Sequence, residues 1–143
     1  MTRVAGCELC ALDVPKVVEN DKFAVILADD ANYPGFARVI WKDHVREMSD
    51  LLEPDRLLVN DAVWKLEQAL REVMAPLKVN VASLGNVVPH LHWHVIPRYA
   101  DDAHFPAPVW AQAVRSTDAA VLAERKALLP QLVEAITRKF ASR

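Results

Sequence analysis

The sequence predicts an α+β fold in which an antiparallel sheet is packed by one long helix, with a helical extension at the C-terminus. Three observations lead there. Short apolar runs rich in branched residues are bounded by turn chemistry. The first two runs are joined too closely for a parallel crossover. A single long stretch with helical period separates them from two further runs, and strands with short turns around one helix pack as an α+β domain. At 143 residues the chain is one domain's worth of sequence. It divides into a core over about residues 7–100 and a covering segment with helices over about 101–143.

The first strand is predicted over residues 23–28, where FAVILA has the look of a buried strand. DDANYPG follows as a turn, punctuated by Pro34 and Gly35. Residues 36–41 (FARVIW) form the second strand. Pro54 suits the first turn of a helix and Asp55 its positive end. Leu58, Ala62, Leu66, Leu70 and Val73 then recur on one face, with Val59, Val63 and Met74 beside them, until Pro76 ends the helix. Residues 79–84 are a third strand, Gly85-Asn86 a turn, and residues 91–96 a fourth strand ended by Pro97. Residues 98–113 hold scattered prolines and aromatics without a period, an irregular covering segment. From about Thr117 to Phe140 the chain is helical, with Pro130 kinking it or opening a second helix.

Composition narrows the function. Apolar residues are 52% and charged residues 25%, an ordinary globular balance that excludes a disordered chain. Lys and Arg total 17 against 19 Asp and Glu, a net charge of -2, which argues against gripping nucleic acid by bulk electrostatics. No apolar run is long enough for a membrane span. The N-terminus lacks the apolar stretch of a secretory signal, so the cytoplasm is the expected compartment. No GxxxxGK[ST] or GxGxxG segment occurs, so phosphates would be cradled by imidazoles and local backbone amides rather than by a glycine-rich loop.

The most informative stretch is Pro89 to Arg98. Of five histidines in the chain, three alternate here as His90, His92 and His94. Side chains switch faces at every residue of a strand, so these three share one face while Leu91, Trp93 and Val95 point to the core. A core-facing row of imidazoles would need a hydrogen-bond partner for each ring. Two chemical readings remain. The rings are ligands of a catalytic metal, or one neutral imidazole attacks phosphorus while its neighbours hold and protonate the phosphate.

The segment resembles the histidine triad pattern His-φ-His-φ-His-φ-φ, with Leu91, Trp93, Val95 and Ile96 in the apolar positions. Gly85-Asn86-x-Val88-x-His90 resembles the family's Gly-Gln-x-Val-x-His approach, and FARVIWKDH over residues 36–44 its strand-then-His element. The likeness runs from Cys7 to about Arg98, in the manner of a bacterial branch of the histidine triad (HIT) family. It implies the HIT-like fold, a homodimer, and a nucleotide hydrolase or nucleotidyl transferase that cleaves at the α-phosphate. The substrates implied are dinucleoside polyphosphates or nucleoside phosphoramidates, cleaved through a covalent nucleotidyl-histidine on His92. That ring needs one nitrogen unprotonated and the other N–H held by an acceptor, commonly a backbone carbonyl. An ordinary imidazole is already mostly neutral in the cytosol, so little tuning is required. By the same resemblance His94 contacts phosphate and helps protonate the leaving group, and His90 and His44 complete the constellation. Asn86, where relatives carry Gln, Asn80 and Arg98 are candidate substrate contacts. Val87 stands where several relatives have a hydroxyl near the leaving group. The alternatives are a nucleotide-binding protein with little turnover and a zinc-dependent hydrolase using the triad as ligands.

Cys7 and Cys10 have the spacing of structural zinc ligands. Zinc-binding branches of the family, and the related galactose-1-phosphate uridylyltransferases, imply the set Cys7, Cys10, His44 and His90, with zinc as a structural cofactor and none needed for the chemistry. Two free thiols are the plain alternative. Asp29-Asp30 and Asp101-Asp102 flank turns and are expected to be solvated loop residues. Trp64 and Trp93 are expected in the core, Trp41 and Trp110 nearer the cleft, and His104 on the surface. Phe23 and Ile26 are candidate walls of a base pocket, with the core the more usual place for apolar strand residues.

Overall fold

The computed structural model describes residues 2–141; the ends of the expected 1–143 domain, residues 1, 142 and 143, lie outside the described residues. Among the described residues five strands form one antiparallel sheet: β1 (Val18–Glu19), β2 (Phe23–Leu27), β3 (Ala37–Trp41), β4 (Lys78–Ala82) and β5 (His92–Arg98). Their spatial order is β1-β2-β3-β5-β4. β1 has no apolar run to announce it, and exists because Val18 pairs with Val25 across a tight turn closed by Asn20. At the β2–β3 turn Gly35 takes φ +92°, and a Cβ there would come within 3.2 Å of the Met74 side chain, so turn and helix can meet only at glycine.

The long helix α1 (Glu53–Met74) starts with Pro54 in its first turn and ends on Ala75, whose left-handed conformation turns the chain into Pro76. Val59, Ala62, Leu66, Ala69, Leu70 and Met74 form its buried stripe and pack on Val25, Val39 and Val95 of the sheet. Trp64 lies outside that stripe. It is 55% exposed rather than in the core as expected, because a residue two positions from Ala62 and Leu66 points to the opposite side of a helix. Pro130 opens a second helix: α2 (Ala119–Ala127) is capped by the Asp118 carboxylate, and α3 (Leu129–Ala141) follows. Leu132, Ala135 and Ile136 of α3 join the core on α1, and Phe140 meets Phe23 edge-on at 5.9 Å.

β5 runs through Pro97 to Arg98, one turn of alternation further than expected. It pairs with β3 only between His92 and Val95, so Pro97 has β4 as its single neighbour and the missing N–H is tolerated as at an edge. β4 ends at Ala82, earlier than expected, where the Ser83 hydroxyl donates to the His92 carbonyl. No helix of the described residues is long and apolar enough to cross a membrane.

The second face of the sheet is partly covered by residues 99–117, as the sequence suggests. A buried network fixes this segment. Arg98, 2% exposed, makes a two-pronged pair with Asp102, 1% exposed, at 2.7 and 3.0 Å. Asn80 and the Ala107 carbonyl take further guanidinium donors. The Asp102 carboxylate also accepts from the backbone N–H groups of Tyr99, His104 and Phe105. Burial alone would raise its pKa, but these bonds outweigh it and hold the carboxyl well below the usual range. Asp102 is therefore not the solvated loop residue expected, and His104 is half-buried beneath the Tyr33 hydroxyl rather than on the surface. Neither could be foreseen, since the partners are distant in sequence. Replacing Asp102 with asparagine leaves the Arg98 charge buried and unpaired, and is expected to cost about 3–5 kcal/mol, measured by urea unfolding at pH 7. A loss under 1 kcal/mol would show the pair to be dispensable.

Candidate active site and metal centre

Alternation along β5 puts His92, His94, Ile96 and Arg98 on the face turned away from α1, while Trp93 and Val95 join the helix-side core. Across the ladder, Ile40 stands opposite His92 and Arg38 opposite His94. His90 departs from the expected row. Pairing with β3 begins only at His92, so the chain is still irregular at His90, which is fully buried and faces elsewhere. His92 and His94 remain as neighbours, their ring centroids 5.0 Å apart.

Their hydrogen bonds fix their tautomers. Nδ1 of His92 lies 2.6 Å from the carbonyl oxygen of His90. A carbonyl can only accept, so Nδ1 carries the proton and Nε2 keeps its lone pair. For His94 the polarity is reversed: Arg38 Nε donates to Nδ1 at 3.3 Å, which leaves the proton on Nε2. The pair thus offers one nucleophilic nitrogen and one N–H donor side by side. Both line a cleft of about 380 Å³ with Arg38, Asn86, Val87 and Trp110. Trp110 meets the His94 ring at 5.0 Å, and Phe36 meets it at 5.6 Å.

Burial pushes the His94 pKa down to about 4, with the charges of His92 and Arg38 adding to the shift. The unfolded imidazole titrates near 6.5. Between these values the unfolded chain takes up a proton that the folded one does not, so stability is full above pH 6.5 and erodes as pH falls towards 4. The contribution is on the order of 3 kcal/mol. His94→Gln is expected to flatten the fall in melting temperature between pH 6.5 and 4; parallel wild-type and variant curves would contradict this.

A second constellation lies behind the first. Cys7, Cys10, His44 and His90 bring their ligand atoms within 4.8 Å of one another. Nδ1 of His90 is 3.4 Å from Cys7 Sγ and 3.5 Å from Cys10 Sγ, and Nδ1 of His44 is 3.3 Å from Cys10 Sγ. Sulfur and nitrogen ligands on tetrahedral zinc stand about 3.5 Å apart, so the spacing fits that geometry. Nε2–H of His90 donates to the Trp41 carbonyl, which leaves Nδ1 free to ligate. The Val4 N–H points at Cys10 Sγ from 3.4 Å, which suits a thiolate. These four side chains could hold a metal ion, and with two thiolates and two imidazoles it would be zinc by donor preference.

The expected residues thus divide into three groups. His92, His94 and Asn86 line the cleft. His44 and His90 sit with the cysteines. Arg98 donates to Asn80 and pairs with Asp102, beneath the covering segment. Trp110 borders the cleft as expected, while Trp41 is 3% exposed in the helix-side core, because its odd position on β3 faces α1. Phe23 shares that core, and Ile26 is buried on the other face, opposite Arg38. Asp29 and Asp30 are exposed in the β2–β3 connection. Sequence reasoning missed Arg38. The signal was present as a lone cation inside an apolar strand, at an even position like His92 and His94. It also missed that the turn holding the cysteines carries Glu8 and Leu9 to the rim of the cleft.

Comparison with known proteins bears on this arrangement. The HIT domain family matches residues 12–101. "Protein hit" of Bacillus subtilis (strain 168) is 30% identical over 111 residues, covering 73% of this chain and 76% of that protein. The crystal structure of the histidine triad protein blr8122 from Bradyrhizobium japonicum superposes with a TM-score of 0.69 at 30% identity, covering 87% of this chain and 89% of that one. A zinc-bound histidine triad family protein from Mycobacterium smegmatis shares the fold, with a TM-score of 0.64 at 21% identity over 96% of this chain and 98% of that one.

Proposed function

The chain belongs to the HIT domain family, and from that premise we propose that it is a nucleotide phosphohydrolase or nucleotidyl transferase working through a covalent intermediate on His92. One observation carries the reading: His92 is held by the His90 carbonyl in the tautomer that leaves Nε2 free, beside a His94 that presents Nε2–H to the same cleft. A lone nucleophilic imidazole without an adjacent hydrogen-bond donor to the developing charge would support binding far better than turnover.

The chemistry follows from the two tautomers. The Nε2 lone pair of His92 attacks the α-phosphorus, and the bond to the leaving group breaks with its electron pair going to that group. The positive charge arising on the His92 ring is shared with the His90 carbonyl through Nδ1–H. Nε2–H of His94 donates to the developing negative charge. Water then attacks the phosphorus, the P–N bond returns its electrons to His92, the water proton passes to the released phosphate or to solvent, and a nucleoside monophosphate leaves. Asn86 lies on the cleft wall within the Gly85 turn, suited to donate its amide to phosphate oxygen. The substrates proposed are dinucleoside polyphosphates and nucleoside phosphoramidates.

Zinc on Cys7, Cys10, His44 and His90 is proposed to be structural, because four protein ligands leave no open position for substrate. Its role when bound is to tie the N-terminal turn to the segment preceding β5. The triad as a catalytic metal site loses its support, since Nδ1 of His90 faces the thiols while His92 spends Nδ1 on a carbonyl. A homodimer is proposed from the family. β4 is an open edge of the sheet with Val81 exposed, and Leu57 and Trp64 line the outer side of α1.

The test is direct. Incubation with a diadenosine polyphosphate or adenosine phosphoramidate should release AMP, and a trapped adduct that is acid-labile but alkali-stable, as a P–N bond is, should map to His92 in digests kept at neutral or alkaline pH. Tight AMP binding with no turnover of either substrate would replace this reading with that of a binding module.

A further inference from the structure

We propose that Arg38 is the specificity-determining residue of this site, paired with a phosphate-bearing leaving group, so that the chain cleaves phosphoanhydrides in preference to phosphoramidates. The inference rests on the nucleotidyl-transfer reading above and adds to it the chemical class of the leaving group.

Arg38 is placed for this by strand register. It sits on β3 directly opposite His94 and borders the cleft together with His92. Its guanidinium is half-buried, with its carbon 5.2 Å from the centroid of the Phe36 ring. Only Nε is engaged, by His94 Nδ1; among the described residues neither Nη group has a hydrogen-bond partner and no carboxylate lies within ion-pair distance. The contrast with Arg98 is instructive. That guanidinium is equally part of the second face, but Asp102, Asn80 and the Ala107 carbonyl satisfy it. Asp30 and Glu8 act on it only from beyond ion-pair distance, and a partly desolvated cation with no paired counter-ion is costly unless an anion completes the site. Guanidinium forks match phosphate oxygens in geometry as well as charge.

The Arg38–His94 bond also sets what His94 can donate. An imidazole whose Nδ1 accepts from a guanidinium is neutral, because the imidazolium has no acceptor to offer. His94 can therefore donate a hydrogen bond through Nε2 but is poorly suited to surrender a whole proton, as a departing amine requires. A phosphate or nucleoside polyphosphate needs no such proton. When His92 forms its bond to the α-phosphorus, the P–O bond to the bridging oxygen breaks. The electron pair stays on that oxygen, and the resulting oxyanion is neutralised by the Nη donors of Arg38. Water later displaces His92 from phosphorus, and its proton passes to the released phosphate or to solvent.

The experiment compares kcat and KM for a dinucleoside tetraphosphate and adenosine phosphoramidate in wild type, Arg38→Gln and Arg38→Lys, with unfolding midpoints recorded for all three. Wild type should favour the tetraphosphate. Arg38→Gln should lower its kcat by about 100-fold, the range for removing one donor to developing charge, while phosphoramidate turnover falls less than about tenfold. Arg38→Lys should recover part of the tetraphosphate rate, because charge is restored without the fork. Equal losses on both substrates, or a wild-type preference for the phosphoramidate, would overturn the assignment while leaving the His92 intermediate standing. Absence of any His92 adduct with either substrate would instead remove the nucleotidyl-transfer reading, and this inference with it.

Discussion

His92→Ala is expected to reduce AMP release by about 10,000-fold or more, the scale seen when a covalent nucleophile is removed. The expected loss is independent of how tightly substrate binds. The ring supplies the bond to phosphorus, and its neighbour His94 cannot replace it, having its Nδ1 occupied by Arg38 and its Nε2 protonated. His90 cannot stand in either, since its ring is fully buried against the cysteines. KM should change far less than kcat, because nothing else in the cleft moves. His92 is half-buried at the cleft wall and its removal leaves the helix-side core intact, so the urea midpoint should stay within about 1 kcal/mol of wild type. Retention of turnover within tenfold, with the protein folded, would end the covalent mechanism.

The second large effect concerns the metal. The N-terminal turn contributes little apolar surface to the core, so beside the bonds of Thr2 to Asp43 and His44 what joins it to the sheet is the cluster of Cys7, Cys10, His44 and His90. Structural zinc sites bind with about 10–16 kcal/mol, and part of this is folding free energy. Chelation, or Cys10→Ser, is expected to destabilise the fold by on the order of 5 kcal/mol, about 10–20 °C in Tm. Metal analysis should find about one zinc per chain before chelation and none after. Turnover should fall with it, and for a reason visible in the backbone. The His90 side chain belongs to the metal cluster, while its carbonyl holds Nδ1 of His92, so a His90 released from its ligands loosens the nucleophile's tautomer. An apo-protein that melts with the holo-protein would refute the structural role.

Much of the site was legible before any fold was known. Alternation at His92 and His94 guarantees a shared face wherever the segment is extended, and the apolar residues between them decide which face is core. The cysteine spacing announced a metal half-site, and the family resemblance supplied its other half. Arg38 was visible as an oddity in an apolar strand but had no stated role, because nothing local says which strand lies opposite. His90 was misplaced for a related reason. The rule of alternation holds only where the ladder exists, and whether β3 reaches that far is decided by register, not by the residue itself. Arg98 reads in sequence as a candidate substrate contact, yet it is buried beneath the covering segment, paired with a carboxylate, Asp102, that local sequence places in a solvated loop.

What the sequence determined by itself is therefore the set of local periodicities: the α1 stripe, the apolar strands, the pairing of two imidazoles on one face and the turn at Gly35. These follow from repeats of 3.6 and 2 residues, which depend only on backbone geometry and near neighbours. Tertiary structure alone decided that His90 turns from the cleft to the thiols, that Arg38 fixes the tautomer of His94, and that Asp102 rather than phosphate satisfies Arg98. Each of these joins groups far apart in the chain, and the partner is chosen by which strands meet in register and which charges are buried together.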